Sequence, residues 1–299
     1  MEATQYWLGV DGGGTGTRVV LADARGVELG HALGGASGLA LGVSRAWAAI
    51  EAACAQAFES AGLTLDWAHS ALGCGLAGVN NRDWLAEFVA SAPKLAALDV
   101  QSDAYTTLLG AHGGEPGVVV AVGTGSIAAV LDRDGSSNVA GGYGFPSGDE
   151  ASGAWLGLHA VVHAQRALDG RVRPDAFSDA LLARMGAGDR DGLVVWLCEA
   201  NQTAYAALAP VVLDHRTHPV AAALLAQAGR DIAQLVDALD ASGQLPVALC
   251  GGLAAPLAEY VPDSHRARLR APLADSAHGA LTLARRANAA AAQGSGGAA

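Results

Sequence analysis

The chain has 299 residues, 29 of them acidic and 18 basic, which gives a formal net charge of −11. Such a surface repels nucleic acid and anionic membranes, so neither is expected as a partner. Although 51% of the residues are apolar, no apolar run approaches the ~18 residues of a membrane span, and the first residues lack the basic segment of a signal peptide. The four cysteines are far apart and form no CxxC pair. We therefore expect a reduced, cytoplasmic protein, long enough for two domains.

The stretch VDGGGTGTR, residues 10–18, joins two short β-prone runs through a glycine-rich turn. Its glycines let backbone N–H groups approach an anion, and its threonine hydroxyls add donors. Asp11 would repel a phosphate unless a divalent cation lay between them. The stretch therefore predicts a nucleotide phosphate loop with a metal at Asp11, the loop residues being Gly12, Gly13, Gly14, Thr15 and Thr17. The Rossmann and P-loop patterns do not fit it, and an ordinary glycine-rich turn is the remaining alternative.

The first part of the chain alternates predicted strands and helices. The strands cover residues 6–10, 18–22, 27–32, 71–76 and 98–102, and the helices cover 44–62, with Ser44 as its cap, and 81–90. The last of these strands ends at Asp103. This order predicts a meander of three strands that passes into parallel crossovers.

The strand–loop–strand pattern then returns. Predicted strands at 117–122, 127–131 and 139–140 enclose the loop residues Gly123, Thr124, Gly125 and Ser126, and a second glycine-rich patch follows. Two copies of a phosphate loop predict two half-molecules whose loops face each other across a cleft.

The remainder of the chain is predicted to be mostly helical. Helices are expected over 151–168, 171–183, 191–209, 219–239 and 276–290, and strands over 245–250 and 269–271, with Gly251 and Gly252 breaking the first strand. His159 and His163 have the i,i+4 spacing of a metal-binding pair, but no acid of the HExxH kind lies between them, so a metal site there is not favoured.

Five stretches in this order resemble the superfamily of acetate and sugar kinases, heat-shock ATPases and actin. Within it, they resemble the BadF/BadG-type ATPases that include the N-acetylglucosamine kinases. The stretches are VDGGGTGTR (10–18), SDAYTTLLGA (102–111), AVGTGSIA (121–128), GGYGFPSGDEASGAWLG (141–157) and ALCGGLA (248–254). The closing APLADSAHGALTLA (271–284) also matches the way this group ends.

The resemblance implies an α/β fold of two ribonuclease H-like, actin-like ATPase domains that flank a nucleotide and sugar cleft. We expect the N-terminal domain at 1–112 and the C-terminal domain at 113–299, with the last helix, 276–290, able to pack back on the N-terminal domain.

The resemblance also implies a role for each matching residue. Asp11 would hold Mg²⁺ beside the first phosphate loop, and Asp103 would act as general base on the sugar hydroxyl. The loop from Gly123 to Ser126 would bind ATP phosphates, and Gly251 and Gly252 would lie beneath the adenosine. The hexosamine contacts would come from Asp103, Tyr143, Gly144, Asp149 and Glu150. Ser37 is near the place where relatives often have a sugar-contacting Asn, and Tyr143 stands where Trp is common, so the identity of the sugar stays open.

Phosphoryl transfer needs positioning, charge neutralisation and a group that accepts the hydroxyl proton. Asp103 follows a strand, where open sheets bind ligands, although an acid before a helix is also an ordinary N-cap, as Asp149 and Glu150 could be. We therefore predict an ATP- and Mg²⁺-dependent kinase of a small-molecule amino sugar, N-acetylglucosamine or glucosamine, acting at O6.

Two other functions stay open. One is an activator-type ATPase of the same family coupled to a reductase, which would need cysteines that ligate a cluster at a dimer interface. The other is a non-catalytic sensor of sugar or nucleotide. The oligomeric state is also open, with a homodimer as one of the possible arrangements.

Overall fold

The computed structural model describes residues 4–296 and divides into two compact units. The first unit combines Met1–Glu115 with Pro272–Ala299, and the second is Pro116–Ala271. The expected boundary at residue 112 lies three residues before the observed one, and the segment from Pro272 onward, with the last helix, groups with the first unit, which is the packing that the expectation allowed for that helix. Residues 1–3 and 297–299 of the expected domains lie outside the described residues.

Strands and helices follow one another along the whole chain. It begins with β1 (Tyr6–Gly12), β2 (Thr17–Asp23), β3 (Glu28–Gly34), a 3-10 turn (Leu39–Leu41), α1 (Val43–Ser60), β4 (Ser70–Leu76), α2 (Arg82–Ala90), β5 (Ala97–Gln101) and α3 (Asp103–His112). The second unit contains β6 (Gly117–Val122), β7 (Ser126–Leu131), β8 (Ser137–Gly141), α4 (Gly153–Leu168), α5 (Ala176–Met185), α6 (Arg190–Glu199), α7 (Gln202–Ala206), α8 (Ala209–Asp214), α9 (Pro219–Leu239), β9 (Val247–Cys250), α10 (Ala254–Ala258) and α11 (Asp263–Arg266). The chain closes with α12 (Ser276–Gly296).

The first unit is built on a five-stranded sheet with the order β3-β2-β1-β4-β5. β1, β2 and β3 form an antiparallel meander, and β4 and β5 join it as parallel strands. Leu8 and Val10 of β1 pack into a core with Ile50 and Phe58 of α1. Every residue of β4 is buried, as expected for a parallel strand covered on both faces. This strand order is that of a ribonuclease H-like domain.

Helix α12 covers the other face of this sheet, and its backbone lies in direct contact with the backbone of β1 and β4. A Cβ built on Gly9 of β1 or on Gly73 of β4 would lie 2.2 or 2.0 Å from a backbone carbonyl oxygen of the helix. A Cβ on Gly279 of α12 would lie 1.8 Å from the carbonyl oxygen of Thr106 in α3. Since a real Cβ does not approach another atom within 3.0 Å, these positions require glycine. They bring the first turns of α12 directly against β1, β4 and α3.

The second unit repeats the first four strands of this arrangement. Its four-stranded sheet has the order β8-β7-β6-β9, with an antiparallel meander of β6, β7 and β8 and with β9 parallel to β6. Val118 and Val120 of β6 lie in a core with Leu156 of α4 and Ile232 of α9. Within residues 4–296 we find no helix with the length and apolar character that a bilayer crossing requires.

Local capping explains where the structure departs from the predicted helices. The single helix expected over 191–209 is wrong, because the side chain of Asn201 accepts a hydrogen bond from the Ala204 N–H at 3.0 Å and starts α7 as a new helix. The helix expected from residue 171 begins only at Ala176, after Asp175 as N-cap.

Two smaller expectations are also corrected. Ser44 does not cap α1, since the helix begins one residue before it and Gly42 occupies the N-cap position. The strand expected over 269–271 is reduced to an isolated bridge between Val247 and Leu269.

The α12 contact gives the first testable prediction. Replacing Gly73 with Ala forces a methyl group into the backbone of α12, so we expect Gly73→Ala to lower the free energy of unfolding by about 3 kcal/mol, the upper part of the range for overpacking. Gly188 is exposed, and a Cβ there meets no atom within 4 Å. Gly188→Ala is therefore the control and should stay within about 0.5 kcal/mol of the original protein. Urea denaturation of both variants measures this; equal stabilities would contradict the required close packing.

Candidate active site

The first glycine-rich turn is the tip of the β1–β2 hairpin. The pairing of β1 with β2 ends at Gly12 opposite Thr17, and the Gly13 N–H donates to the Gly16 carbonyl at 3.0 Å. Gly14 and Thr15 are exposed at the tip. The tip of the turn therefore offers backbone N–H groups and the exposed side chain of Thr15 to an anion.

The back of the turn is held by the segment that follows β3. The carbonyl of Gly13 accepts hydrogen bonds from the N–H groups of Ser37 and Gly38, both at 3.0 Å. The Thr17 hydroxyl lies 2.7 Å from the hydroxyl of Ser37, and a Cβ on Gly12 would lie 2.2 Å from that same oxygen. Ser37 is fully buried and Thr17 is 2% exposed. Of the predicted residues, Gly12, Thr17 and Ser37 thus support the turn from behind.

Asp11 stands one residue before the end of β1 in a partly buried position. Burial raises the pKa of its carboxyl above the ordinary value, and the carboxylates of Asp103 and Asp275 raise it further. A hydrogen bond from the Ser276 hydroxyl and the charge of Arg18 act in the opposite direction. Asp11 is therefore a desolvated acid in a locally negative environment.

Two hydroxyl groups near Asp11 could not have been predicted from the sequence. Ser276, in the first turn of α12, lies with its Oγ 2.8 Å from the Oγ1 of Thr106 in α3. Both side chains are buried, and a Cβ on Gly75 of β4 would lie 1.9 Å from the Thr106 hydroxyl oxygen. They form a buried hydroxyl pair, built by residues 170 positions apart, and its Ser276 member hydrogen-bonds the Asp11 carboxylate.

Asp103 is the first residue of α3. The N-cap is Ser102, whose hydroxyl accepts a hydrogen bond from the Tyr105 N–H at 3.2 Å. One oxygen of Asp103, Oδ1, accepts from the Ala104 N–H at 2.8 Å. Burial raises the pKa of the Asp103 carboxyl, and its backbone hydrogen bonds oppose that rise. Because Ser102 supplies the cap, the capping alternative does not account for Asp103, which is a desolvated and more basic carboxylate.

The second glycine-rich turn, between β6 and β7, is supported by a helix. The Gly123 N–H donates to the Gly125 carbonyl at 2.9 Å, closing the turn. The first N–H groups of α4, at Gly153 and Ala154, donate to the carbonyls of Gly123 and Thr124 at 2.8 and 3.2 Å. The loop carbonyls therefore face the helix, and Thr124 is exposed at the tip.

The loop before α4 holds Asp149 in an unusual conformation. Its φ of 61° is in the left-handed region that non-glycine residues rarely adopt. It is 5% exposed, and its Oδ2 accepts a hydrogen bond from Nε2 of Gln202 at 2.7 Å. A Cβ on Gly125 would lie 2.8 Å from the same Oδ2. Asp149 is thus fixed beside the second turn, with Gln202 as a partner that the sequence did not reveal.

Glu150 is the neighbouring acid of this loop. Its carbonyl accepts a hydrogen bond from the Ser126 hydroxyl at 2.6 Å, so Ser126 serves the architecture of the loop. The Oε2 atom of Glu150 is buried and has no hydrogen-bond partner. An unpaired buried carboxylate oxygen is costly, and a ligand that donates a hydrogen bond would remove this cost.

The other predicted contacts of the second unit lie on glycine-rich backbone. Gly144 has a φ of 86°, and the neighbouring Tyr143 ring is 88% exposed. Gly251 has a φ of 93°, and a Cβ there would lie 2.4 Å from the carbonyl oxygen of Val122, the residue that precedes the second turn. A Cβ on Gly252 would meet no atom within 4 Å. The backbone conformation and the close approach of Val122 thus require glycine at position 251, whereas the space beside Gly252 is open.

A family model, described as the BadF/BadG/BcrA/BcrD ATPase family, matches residues 8–284. The chain belongs to this family. The match covers both hairpin turns, Asp11, Asp103 and the loop of Asp149. The predicted family is therefore confirmed.

Named relatives agree with the family. The chain is 32% identical over 283 residues to a glucosamine kinase of Vibrio cholerae, covering 93% of this chain and 95% of that protein. It is 25% identical over 250 residues to an N-acetyl-D-glucosamine kinase of Dictyostelium discoideum, covering 78% and 74% of the two chains. A crystal structure of a candidate N-acetylglucosamine kinase from Chromobacterium violaceum is 49% identical, with a TM-score of 0.89, over 94% of this chain and 99% of that one. The predicted fold class, with two ribonuclease H-like units, is confirmed.

An activator-type ATPase of this family would need cysteines that can ligate an iron–sulfur cluster. Cys54 and Cys74 are buried, and desolvation raises the pKa of both thiols. Iron–sulfur clusters are held by thiolates, and a buried thiol that keeps its proton is inert. These two cysteines therefore do not favour a cluster-carrying protein.

The desolvation of Asp103 predicts a stabilising substitution. Its folded-state pKa is raised, so the ionised carboxylate opposes folding above the ordinary carboxyl pKa, and this opposition disappears when the group is protonated at low pH. We expect Asp103→Asn, which keeps an acceptor for the Ala104 N–H, to raise Tm at pH 7 and to raise it less at pH 4. Thermal unfolding at the two pH values measures the difference.

Asp191 provides the matched control, because it is an exposed acid in the first turn of α6. Asp191→Asn should lower stability slightly at pH 7, since it loses about 0.3–1 kcal/mol of interaction with the helix dipole. A Tm for Asp103→Asn below that of the original protein at both pH values would contradict the desolvated carboxylate.

Proposed function

We propose that this protein is an ATP-dependent kinase that phosphorylates an amino sugar, N-acetylglucosamine or glucosamine, at O6. The observation that carries the proposal is the 32% identity to a glucosamine kinase over nearly the whole of both chains. The local structure supports it, because both glycine-rich turns present exposed tips and Asp103 is a desolvated carboxylate. A non-catalytic sensor would have no need of a buried, energetically unfavourable acid at that position.

The nucleotide phosphates are assigned to the two turns. In the first turn, we assign the N–H group of Gly14 and the hydroxyl of Thr15 to phosphate oxygens, while Gly12, Gly13 and Thr17 hold the turn in shape. In the second turn, the corresponding donors are the N–H of Gly125 and the exposed Thr124, with Gly123 and Ser126 as support. The open space at Gly252, next to the constrained Gly251, is assigned to the adenosine.

The residues around Asp11 fit a hard divalent cation. The carboxylates of Asp103 and Asp275 both raise the pKa of the Asp11 carboxyl, and the charge of Arg18 acts in the opposite direction. Oxygen ligands of this kind are those that Mg²⁺ prefers, usually through one or two carboxylates together with substrate phosphates. Asp11 is the residue that would hold Mg²⁺, which when bound neutralises charge on the phosphate oxygens.

The mechanism assigns the proton transfer to Asp103. The sugar O6 attacks the γ-phosphorus of ATP, a new O–P bond forms, the bond from the γ-phosphorus to the β–γ bridging oxygen breaks, and ADP leaves. A hydroxyl is far less acidic than a carboxylic acid, so its proton passes to Asp103 only as the O–P bond forms. The raised pKa makes Asp103 a better proton acceptor. Its Oδ1 is occupied by the Ala104 N–H, which leaves Oδ2 to receive the proton.

The sugar contacts are assigned mainly to the loop of Asp149 and Glu150. Asp149 is held rigidly by Gln202, and Glu150 has a buried oxygen without a partner, so both acids are suited to accept hydrogen bonds from sugar hydroxyl or amino groups. Gly144 and Tyr143 would contact the sugar from the exposed part of the same loop. The buried position of Ser37 supports an indirect role there, through the shape of the first turn.

We place the reaction in the cytoplasm and expect a homodimer as one arrangement of the protein. ATP is available inside the cell, so the reaction is placed in the cytoplasm. A homodimer stays a prediction, which light scattering of the purified protein tests.

The central test is the turnover of Asp103→Asn with ATP, Mg²⁺ and a panel of hexoses and hexosamines. This variant keeps the shape of the side chain but cannot accept the proton. We expect kcat to fall by about 10²–10⁴-fold, the usual contribution of general-base catalysis, while ATP affinity changes little. In the original protein kcat should fall as pH drops, and because the pKa of Asp103 is raised, this fall should be centred above the ordinary carboxyl pKa of 3.8.

Asp191→Asn again serves as the control and should keep full turnover. A kcat for Asp103→Asn within a few-fold of the original value would reject Asp103 as the base. Absence of phosphorylation of every amino sugar by the original protein, with ATP still bound, would reject the kinase proposal itself.

A second variant tests the sugar contact. In Asp149→Asn the side chain can still accept the hydrogen bond from Gln202 but has lost its charge. We expect the KM for the sugar to rise by about 10- to 100-fold, since a hydrogen bond to a charged group contributes about 1.5–3 kcal/mol, with a much smaller change in kcat. Steady-state kinetics at saturating ATP separate the two parameters. An unchanged sugar KM would assign Asp149 to loop structure alone.

A further inference from the structure

Three segments of the second unit bring two histidines and an aspartate together outside the residues assigned above. His163 is on α4, Asp175 is the N-cap of α5 and His218 is the N-cap of α9. The Nε2 atoms of His163 and His218 lie 3.0 and 3.2 Å from the same oxygen, Oδ2 of Asp175. All three ligand atoms lie within 4.8 Å of one another.

The two distances to Asp175 approach those between the ligand atoms of a small transition-metal ion. Zn²⁺ binds histidine nitrogen and carboxylate oxygen at about 2.0–2.2 Å in tetrahedral geometry, so neighbouring ligand atoms are about 3.4 Å apart. The observed distances of 3.0 and 3.2 Å need an expansion of only a few tenths of an ångström. Mg²⁺ and Ca²⁺ prefer oxygen ligands, so two imidazole ligands select the zinc class of ions.

The surroundings fix the carboxylate and the imidazole rings. The Ser178 N–H donates to Oδ1 of Asp175 at 2.8 Å, which leaves Oδ2 as the oxygen that both histidines approach. The Phe177 ring packs against His163 and His218, with ring centroids 5.5 and 5.1 Å away. The negative charge of Asp175 also meets the positive N-terminal ends of α5 and α9, which would otherwise repel a cation.

The ring proton of a histidine ligand can move from one nitrogen to the other when an ion binds. Without an ion, Nδ1 of His218 accepts a hydrogen bond from the Val220 N–H at 3.3 Å, so the neutral ring of His218 carries its proton on Nε2, facing Asp175. Binding through Nε2 would move this proton to Nδ1, so a neutral imidazole loses no proton. The contact to Val220 is lost, but at 3.3 Å it is long for a hydrogen bond and contributes little.

From this geometry we infer that His163, Asp175 and His218 bind a divalent transition-metal ion of the zinc class, which joins α4 to the starts of α5 and α9. His163 lies ten residues along α4 from Gly153, about 15 Å at the rise of an α-helix. Since the N-terminus of α4 supports the second turn, the ion stabilises the helix that holds this turn. Its role is structural, and it is separate from the Mg²⁺ proposed at Asp11.

The test is a Zn²⁺ titration of the full chain after treatment with EDTA. It is carried out in excess Mg²⁺ to occupy oxygen-only sites, with a chromophoric chelator as competitor and thermal unfolding as a second measurement. We expect one equivalent of Zn²⁺ to bind and Tm to rise until that equivalent is reached. His163→Gln removes a buried ligand, and His218→Asn removes a ligand while keeping a strong N-cap residue for α9.

Each ligand variant should weaken Zn²⁺ binding by more than about 100-fold, beyond the 10–100-fold loss usual for residues that only orient ligands. His265→Gln is the matched control, because His265 pairs with Asp237 at 2.8 Å in the same unit; it should bind Zn²⁺ like the original protein. Absence of saturable binding would overturn the inference and leave the cluster as a hydrogen-bonded helix cap. Equal binding by His218→Asn and the original protein, with both folded, would also overturn it.

Discussion

The backbone contact between α12 and the first sheet is the constraint on which the candidate site depends. Glycines at Gly9 and Gly73 let the helix approach β1 and β4 within backbone distance, and Gly279 does the same toward α3. Only this approach brings Ser276 within reach of Asp11 and Thr106. A residue near the end of the chain therefore contributes to the electrostatics of an acid near its beginning, and the last helix is part of the candidate site.

Desolvation is shared by the two acids to which the proposed mechanism gives a role. Asp11 and Asp103 both have raised pKa values because burial removes water from their carboxylates. Desolvation of a charged group opposes folding, so the proposed mechanism places its two acids at positions that reduce stability. The close packing around α12 offsets that cost, because a well-packed sheet interface can hold two unfavourable charges in fixed positions. This is why the same substitution at Asp103 is expected to raise Tm and to lower kcat.

The parts of the fold that follow local patterns could be predicted, and the parts that depend on long-range contacts could not. Both glycine-rich turns and Asp103 could be found because short strands, glycines and an acid at a strand end leave a local signature. Ser276 and Gln202 carry no such signature, since their partners Asp11 and Asp149 are distant in sequence. The same limitation explains why Thr17 was grouped with the exposed Thr15, since only the folded chain shows it against Ser37.

The two hairpins show how one element has diverged to serve two tasks. In β1 the residue one before the last paired position is Asp11, opposite Arg18, whereas in β6 the equivalent residue is Ala121, opposite Ile127. The first hairpin therefore carries charge at its end, and its turn is supported by an irregular segment around Ser37. The second hairpin has no charge there, and its turn is supported by the N-terminus of α4. The second turn can position a phosphate through its backbone and the exposed Thr124, while the first turn, with Asp11 in its own strand, can also recruit a cation. The proposed reaction needs both tasks, and the charge at the end of β1 assigns the second of them to the first hairpin.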